Sequence, residues 1–415
     1  MTRKMKDSGI EWIGEIPEDW KITKFKRYSK SAMGNTILKT DLLDDQGKYS
    51  LPVYSATQED VVFGYVGKDN VTVVLSKNDL VIPARGNSIG YVKVIPFEKA
   101  TCTQTTIFSK LNDINVKFVY LCSIAFKDFW FEFDQTAIPQ ITVQQVENNY
   151  IPVCTIKEQT KIADFLTSKL SVINDIKLTI KDEIQTLEDY KKSLITEAVT
   201  KGLDKNVEMK DSGLEWIGEI PKHWNVTYLK SFFDEGKNKN KLGRETNLLS
   251  LSYGEIIKKD INTQTGLLPQ NFNNYNIVEK GSIIIRPTDL QNDKKSLRTG
   301  LVNERGIITS AYINLKPKKN IVSKYFHYLL HCYDLMKVFY NMGSGVRQGL
   351  TYSEFSKLLV LSPNNLEQEQ IISYLDSKTK VIDDAISTKQ KQLETLEEYK
   401  KSLIYEYVTG KKEVL

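Results

Sequence analysis

The chain says almost the same thing twice, about 200 residues apart. Met5–Trp20 reads MKDSGIEWIGEIPEDW and Met209–Trp224 reads MKDSGLEWIGEIPKHW, with differences at only three of the sixteen positions. A second echo closes each half, EDYKKSLI at Glu188–Ile195 and EEYKKSLI at Glu397–Ile404. Between the echoes the two halves diverge. A duplicated frame around two different inserts predicts one scaffold that presents two different reading heads.

Each half ends in a segment with helical periodicity. Leu166, Ile173, Ile180, Leu187 and Leu194 recur every seven residues, and Ile162, Leu170, Ile176, Ile184, Tyr190 and Ala198 fill the neighbouring rows. Charged residues flank this seam, and no Pro or Gly interrupts it before the natural stop at Gly202. In the second half Leu375, Ile382, Leu396 and Leu403 keep the register, supported by Ile371, Ile386, Leu393 and Tyr399, while Lys389 breaks one seam position. A helix of about 43 residues is roughly 64 Å long. It is too long for one small domain, so its seam needs a partner helix, and the other copy is the obvious one. If the halves are related by a pseudo-two-fold axis, the helices run antiparallel. The opening motif of the first half then packs beside the end of the C-terminal helix, which brings the two termini together.

Each insert reads as mixed α/β. Tyr65–Leu75, Leu80–Pro83 and Gly90–Ile95 are rich in β-branched residues and predict strands, as do Leu248–Ser252, Ser282–Ile285 and Ile307–Ile313. Aromatic-rich helical stretches close the inserts at Lys117–Phe133 and Lys324–Tyr340. The opening motifs read as loops with a short turn, their Trp12, Trp20, Trp216 and Trp224 pinned in packing. The fold class is therefore α+β. Two mixed α/β domains, 1–157 and 205–366, are joined by helices at 158–204 and 367–415 that form an antiparallel coiled coil.

Composition narrows the functional classes. At 415 residues two or three domains can each bury a core. The polar N-terminus, MTRKMKDSG, does not read as a secretory signal, and no run approaches the roughly 18 apolar residues of a membrane span. Cys102, Cys122, Cys154 and Cys332 form no C-x-x-C pair, which fits reduced thiols in a cytoplasmic protein. The net charge of +5 permits nucleic-acid binding without demanding it. From Lys237 to Lys319 there are fifteen Lys/Arg against seven Asp/Glu. That excess fits either a phosphate-facing surface or a solvated Lys-rich one. No G-x-x-x-x-G-K-[ST] loop and no Asn/Asp-Pro-Pro-aromatic tetrapeptide occurs, so neither a P-loop motor nor an adenine methyltransferase is written here. His327 and His331 stand four apart without a third ligand, and Glu398-Tyr399-Lys400 lacks the partner acid of a nuclease.

Taken together, these segments resemble the specificity (S) subunit of type I restriction–modification systems over essentially the whole chain. The resemblance rests on the repeated MKDSG motif, on KEQTKIADFL at Lys157–Leu166 and LEQEQIISYL at Leu366–Leu375, on GVRQGLTYSEFSKL at Gly345–Leu358, and on RGNSIGYV at Arg85–Val92. The first half departs from the pattern in AIPQIT at Ala137–Thr142, which lacks the second half's Gly, and in Cys154, where a Pro is expected. What the resemblance implies is a subunit without chemistry of its own. Its two target-recognition domains each read half of a bipartite site in double-stranded DNA. Its helices set the gap and dock two methyltransferase (modification) subunits, and nuclease–translocase (restriction) subunits join that core. No cofactor is expected on this chain; S-adenosylmethionine belongs to the partner methyltransferase, which flips its target adenine out of the stack.

Side-chain chemistry nominates the contacts. Arg, Lys, Asn and Gln discriminate base edges, while Ser, Thr, Lys and backbone amides hold phosphates. In the first insert these are Arg85, Gly86, Asn87 and Ser88, then Tyr54, Ser55, Thr57 and Gln58, then Gln104 and Thr106. In the second they are Arg286, Thr288, Asp289, Gln291, Asn292 and Arg298, then Arg347 and Gln348. Any one of them could instead brace its loop. A structural adaptor whose inserts bind proteins also remains open, and salt dependence separates the two readings.

Overall fold

The computed structural model describes residues 3–43, 47, 50–133, 139–262, 271–288, 297–342 and 349–414. The chain divides into two compact units, and the division falls inside the long helices: Met1–Lys181 with Gln390–Leu415 form the first, Asp182–Lys389 the second. The helices run Ile156–Lys201 and Asn365–Val408. No helix among the described residues is long and apolar enough to cross a membrane.

Each unit opens on a β-hairpin, where the sequence had predicted a loop. Met5–Asp7 pairs with Glu15–Pro17, and Met209–Asp211 with Glu219–Pro221. The reason lies in the D-S-G triplet. Asp7 Oδ1 accepts from the Gly9 amide and Ser8 Oγ from the Ile10 amide, and Asp211 and Ser212 make the same bonds. Short polar side chains thus close the turn themselves. Trp20 and Trp224 are fully buried. Trp12 stacks on Phe129 at 5.4 Å between ring centroids, and Trp216 meets the edge of Tyr333 at 6.2 Å.

The Glu-Gln pair at each long helix start secures that hairpin. Trp20 Nε1 donates to Glu158 Oε2 (3.2 Å) and Trp224 Nε1 to Glu367 Oε1 (2.9 Å). Arg3 adds a 2.6 Å bond to Glu158, and His223 Nε2 lies 2.9 Å from Glu367. The glutamines face inward and hold the approach to the helix: Gln159 donates to the Cys154 carbonyl and Gln368 to that of Pro363. Cys154 therefore does the job of its Pro counterpart, because only its backbone oxygen is used.

Both inserts are built on one plan. In the first unit an antiparallel sheet is ordered Ser29–Met33, Thr106–Leu111, Leu80–Pro83, Lys93–Val94. In the second the matching order is Phe233–Glu235, Ile313–Pro317, Ile283–Ile285, Thr299–Leu301. A second sheet carries a hairpin, Ser50–Tyr54 with Gly64–Gly67 or Leu248–Ser252 with Glu255–Lys259. Its first strand also pairs in parallel with Thr101–Cys102 or Gly306–Ile308. Three of the expected strands are shorter or split, Gly90–Ile95 being a strand only at Lys93–Val94. Tyr65–Leu75 is a strand only as far as Gly67, after which Lys68–Asn70 turns. The run Ile307–Ile313 serves two sheets, with strands Gly306–Ile308 and Ile313–Pro317 and a turn between them. β-branched residues suit any half-buried extended segment, so composition alone cannot see a strand change sheets.

Each unit has its own core, shared with both long helices. In the first, Trp20, Phe118, Phe126 and Trp130 pack with Ile162, Leu166 and Ile173 of one helix and Leu403, Ile404 and Val408 of the other. In the second, Trp224, Phe326 and Tyr333 pack with Leu194, Ala198 and Val199, and with Ile371, Leu375 and Ile382. The helices run antiparallel in each. Phe165 meets Tyr407 and Lys177 pairs with Glu397 in the first unit, while Glu183 pairs with Lys389 and Lys191 with Asp383 in the second. The heptad row is interior as expected, but Ile176, Tyr190 and Tyr399 of the flanking rows are exposed. A two-helix seam is narrower than the apolar stripe the sequence offers.

Candidate nucleic-acid interface

Three polar loops of the first insert, far apart in sequence, meet where the strands of the two sheets end. Gln58 Nε2 donates to the Asn87 carbonyl (3.0 Å), and Ser88 Oγ to that of Ala56 (2.9 Å), which ties loop 54–58 to loop 85–88. Ser55 Oγ lies 3.1 Å from Thr103 Oγ1, and the Ala84 amide donates to the Thr105 carbonyl, which ties both to loop 103–106. Gly34 begins a fourth strip: a Cβ there would sit 2.4 Å from the Thr103 carbonyl oxygen, so only glycine permits this approach. Beside it the Gln104 amide donates to the Asn35 carbonyl, and Thr36 Oγ1 donates to Gln104 Oε1. The side chains of Arg85, Asn87, Gln58 and Gln104 remain exposed along this ridge.

Not every nominated residue faces outward. Thr106 is fully buried, and its hydroxyl donates to the Thr103 carbonyl. Ser88 and Tyr54 are 7% and 3% exposed. Ser55 and Thr57 are half-buried, and Gly86, at φ 70°, turns loop 85–88. Thr106 and Ser88 are thus corrected from contact residues to internal braces whose hydroxyls are spent on the loops, and Tyr54 is corrected to a core residue.

The second insert repeats the ridge with different chemistry. The Leu350 amide donates to the Pro287 carbonyl just as that of Ile141 does to Ala84, so Arg286-Pro287-Thr288 occupies the place of Pro83-Ala84-Arg85. Arg286 and Thr288 are exposed there. Arg298 is not: at 1% exposure it donates through Nη1 to the Arg286 and Thr288 carbonyls, at 3.3 and 2.5 Å. It too is corrected to a brace. Asp289, Gln291, Asn292, Arg347 and Gln348 lie outside the described residues.

The structure adds residues that the sequence did not nominate. The hairpin tip Tyr253-Gly254 matches loop 54–58 and abuts Leu297, with Tyr253 76% exposed. The turn Thr309–Tyr312 matches loop 103–106 and was hidden inside a run read as one strand. The segment after Gly236 carries Lys239, Lys241 and Arg244 on a turn stapled by the buried Asn240, which bonds both the amide and the carbonyl of Glu245. The charge excess of this insert was the only signal for them. Lys93, 1% exposed, also went unnoticed because a Lys in a strand reads as solvated.

Such ridges offer amide, guanidinium and hydroxyl groups on short, internally tied loops. That chemistry suits base edges and phosphates rather than bond making. Residues 17–186 match the type I restriction modification DNA specificity domain. Two proteins of Methanocaldococcus jannaschii are similar along their length. One is the type I restriction enzyme MjaVIII specificity subunit, 23% identical over 95% of this chain and 93% of the relative. The other is a putative MjaX specificity subunit, 22% identical over 96% and 95%. Among solved structures, a chain from work on assembly and conformational transition of the type I R-M system matches with TM-score 0.70 and 11% identity, over 95% of this chain and 98% of that one. The HsdS subunit of Thermoanaerobacter tengcongensis matches with TM-score 0.50 and 12% identity, over 96% and 98%. Residues 17–186 thus match a type I DNA specificity domain, and the chain as a whole is similar to specificity subunits of type I restriction–modification systems.

Proposed function

We propose that each unit reads one half of a bipartite site in double-stranded DNA with its loop ridge. The long helices fix the separation of the halves and dock two methyltransferase subunits, with restriction subunits joining that core. The chain itself performs no chemistry. The observation that carries this reading is the convergence, in the first insert, of loops distant in sequence on one strand-end ridge, with segment 286–288 of the second insert held by an equivalent backbone bond and carrying different exposed side chains. A shared frame with different tips is what two different half-sites call for. In the first unit Arg85, Asn87, Gln58 and Gln104 are the base-reading candidates. In the second they are Arg286 and Tyr253, with Lys239, Lys241, Arg244 and Thr288 on phosphates.

The test is to exchange the first insert for that of another specificity subunit and sequence the methylome of cells carrying the complex. One half of the methylated motif should change and the other persist. Binding should also weaken steeply with salt, with a log–log slope of about −0.9 per phosphate contacted. A complex whose motif is indifferent to the exchange, or whose chain binds no DNA at low salt, would instead fit a protein adaptor.

A further inference from the structure

Both ridges rest on a buried cation, and the two cations are not the same residue. In the first unit Lys93 leaves the edge strand Lys93–Val94 at 1% exposure. Its ammonium donates to the Ser55 carbonyl (3.1 Å) and to Thr57 Oγ1 (2.5 Å), with the Tyr54 ring 5.9 Å away. Burial lowers its pKa, and the charge of Asp60 opposes that shift. In the second unit Arg298, just before the matching strand Thr299–Leu301, holds the Arg286 and Thr288 carbonyls. Its own amide donates to Asp334 Oδ2 at 2.9 Å, and its Nε lies 4.0 Å from Oδ1 of that fully buried carboxylate.

The shared fold does not ask for a cation at either place. Val81 pairs with Lys93, and the equivalent Ile284 pairs with Gly300, so the register puts Gly300 where the first unit has Lys93. By the same register Tyr91 stands where the second unit has Arg298. Each unit therefore manages without the other's cation. A buried charge costs free energy that an apolar residue at that position would not. What each cation does uniquely is grip carbonyl and hydroxyl oxygens of its own ridge: loop 55–57 in the first unit, loop 286–288 in the second. In the first, the Gln58 and Ser88 bonds carry that grip on to loop 85–88.

We propose that Lys93 and Arg298 are positioning residues for sequence reading, each fixing the pose of one ridge and so the stringency of one half-site. Bidentate recognition of a base edge tolerates displacements of only about 0.5 Å. A ridge freed from its cation still meets phosphates but no longer rejects wrong bases. The inference rests on the DNA-reading role of the ridges argued above.

The experiment uses the full chain with its methyltransferase subunits and reads the methylated motif base by base across a genome. In Lys93→Met, methylation at sites mismatched in the first unit's half should rise at least tenfold, with the other half unchanged. Arg298→Met should give the mirror result. Relaxation of both halves together, or of neither, overturns the inference. If Lys93→Met yields no complex, Thr57→Val decides: it removes the side-chain acceptor and leaves the strand intact, so relaxation confined to the same half supports the inference and an unchanged motif overturns it. Arg85→Ala combined with Asn87→Ala separates the two levels. If this pair leaves the motif intact, the ridge does not read DNA. If it alters the motif while Lys93→Met does not, only the positioning role fails.

Discussion

At the scale of residues, the hairpin–helix joint turns on a single carboxylate in each unit. Glu158 binds Trp20 and Arg3, and Glu367 binds Trp224 and His223. A hydrogen bond to a charged acceptor is worth about 1.5–3 kcal/mol. Trp20→Phe loses that bond and part of the buried ring, so chemical denaturation should show a loss of about 2 kcal/mol or more. Trp12→Phe, which alters a half-buried stacked ring, should cost about 1 kcal/mol or less. The second unit holds all three histidines. Burial pushes His327 and His331 down to about 4. The unfolded chain, with histidines near 6.5, binds more protons between those values. Stability should therefore be full above pH 6.5 and fall as pH drops toward 4. A His327→Gln, His331→Gln double variant should lose stability less steeply in that window, as read from thermal melts across pH.

At the scale of elements, the helices carry the clearest message. Seam residues such as Leu166, Ile173, Leu375 and Leu403 are interior in two separate cores. Lys389, which interrupts the repeat, is half-buried and pairs with Glu183 at 2.6 Å, so its charge is answered by the opposite helix. If the helices set the spacing of the half-sites, inserting one heptad into each preserves the seam and adds about 10.5 Å, or about three base pairs. The methylated motif should then carry a correspondingly longer gap; an unchanged gap would rule out the ruler. Strands were less legible. Leu80–Pro83 and Leu248–Ser252 lie where the sequence reading puts them. Ile307–Ile313 concealed a turn, because the change of sheet is decided by partners distant in the chain.

At the scale of the whole molecule, the first unit is completed by the last residues of the chain. Tyr405 Oη donates to the Ile13 carbonyl at 2.9 Å, and a Cβ on Gly410 would lie 2.6 Å from Pro17. Gly202 holds the corresponding place beside Pro221 and Trp224 in the second unit. Deleting residues 390–415 should consequently unfold the first unit, with protease sensitivity rising in residues 3–181, while the second unit keeps its protection. Equal loss in both, or in neither, would contradict the division of the core.

Sequence by itself determined the duplication, the two helical seams and the pairing of each opening motif with a helix end, because repeats and periodicity are local properties that a chain carries openly. It also nominated the exposed tips Arg85, Asn87, Gln58 and Arg286 through their side-chain chemistry. Only the tertiary structure decided which nominated groups face outward. Thr106 and Arg298 have the composition of contacts, yet long-range packing spends their donors on backbone oxygens. Lys93 has the composition of surface, yet the sheet buries it beneath a loop some 36 residues away in sequence. Burial and hydrogen-bond partners are set by segments that meet only after folding, so the same side chain reads as contact or as brace until its neighbours are known.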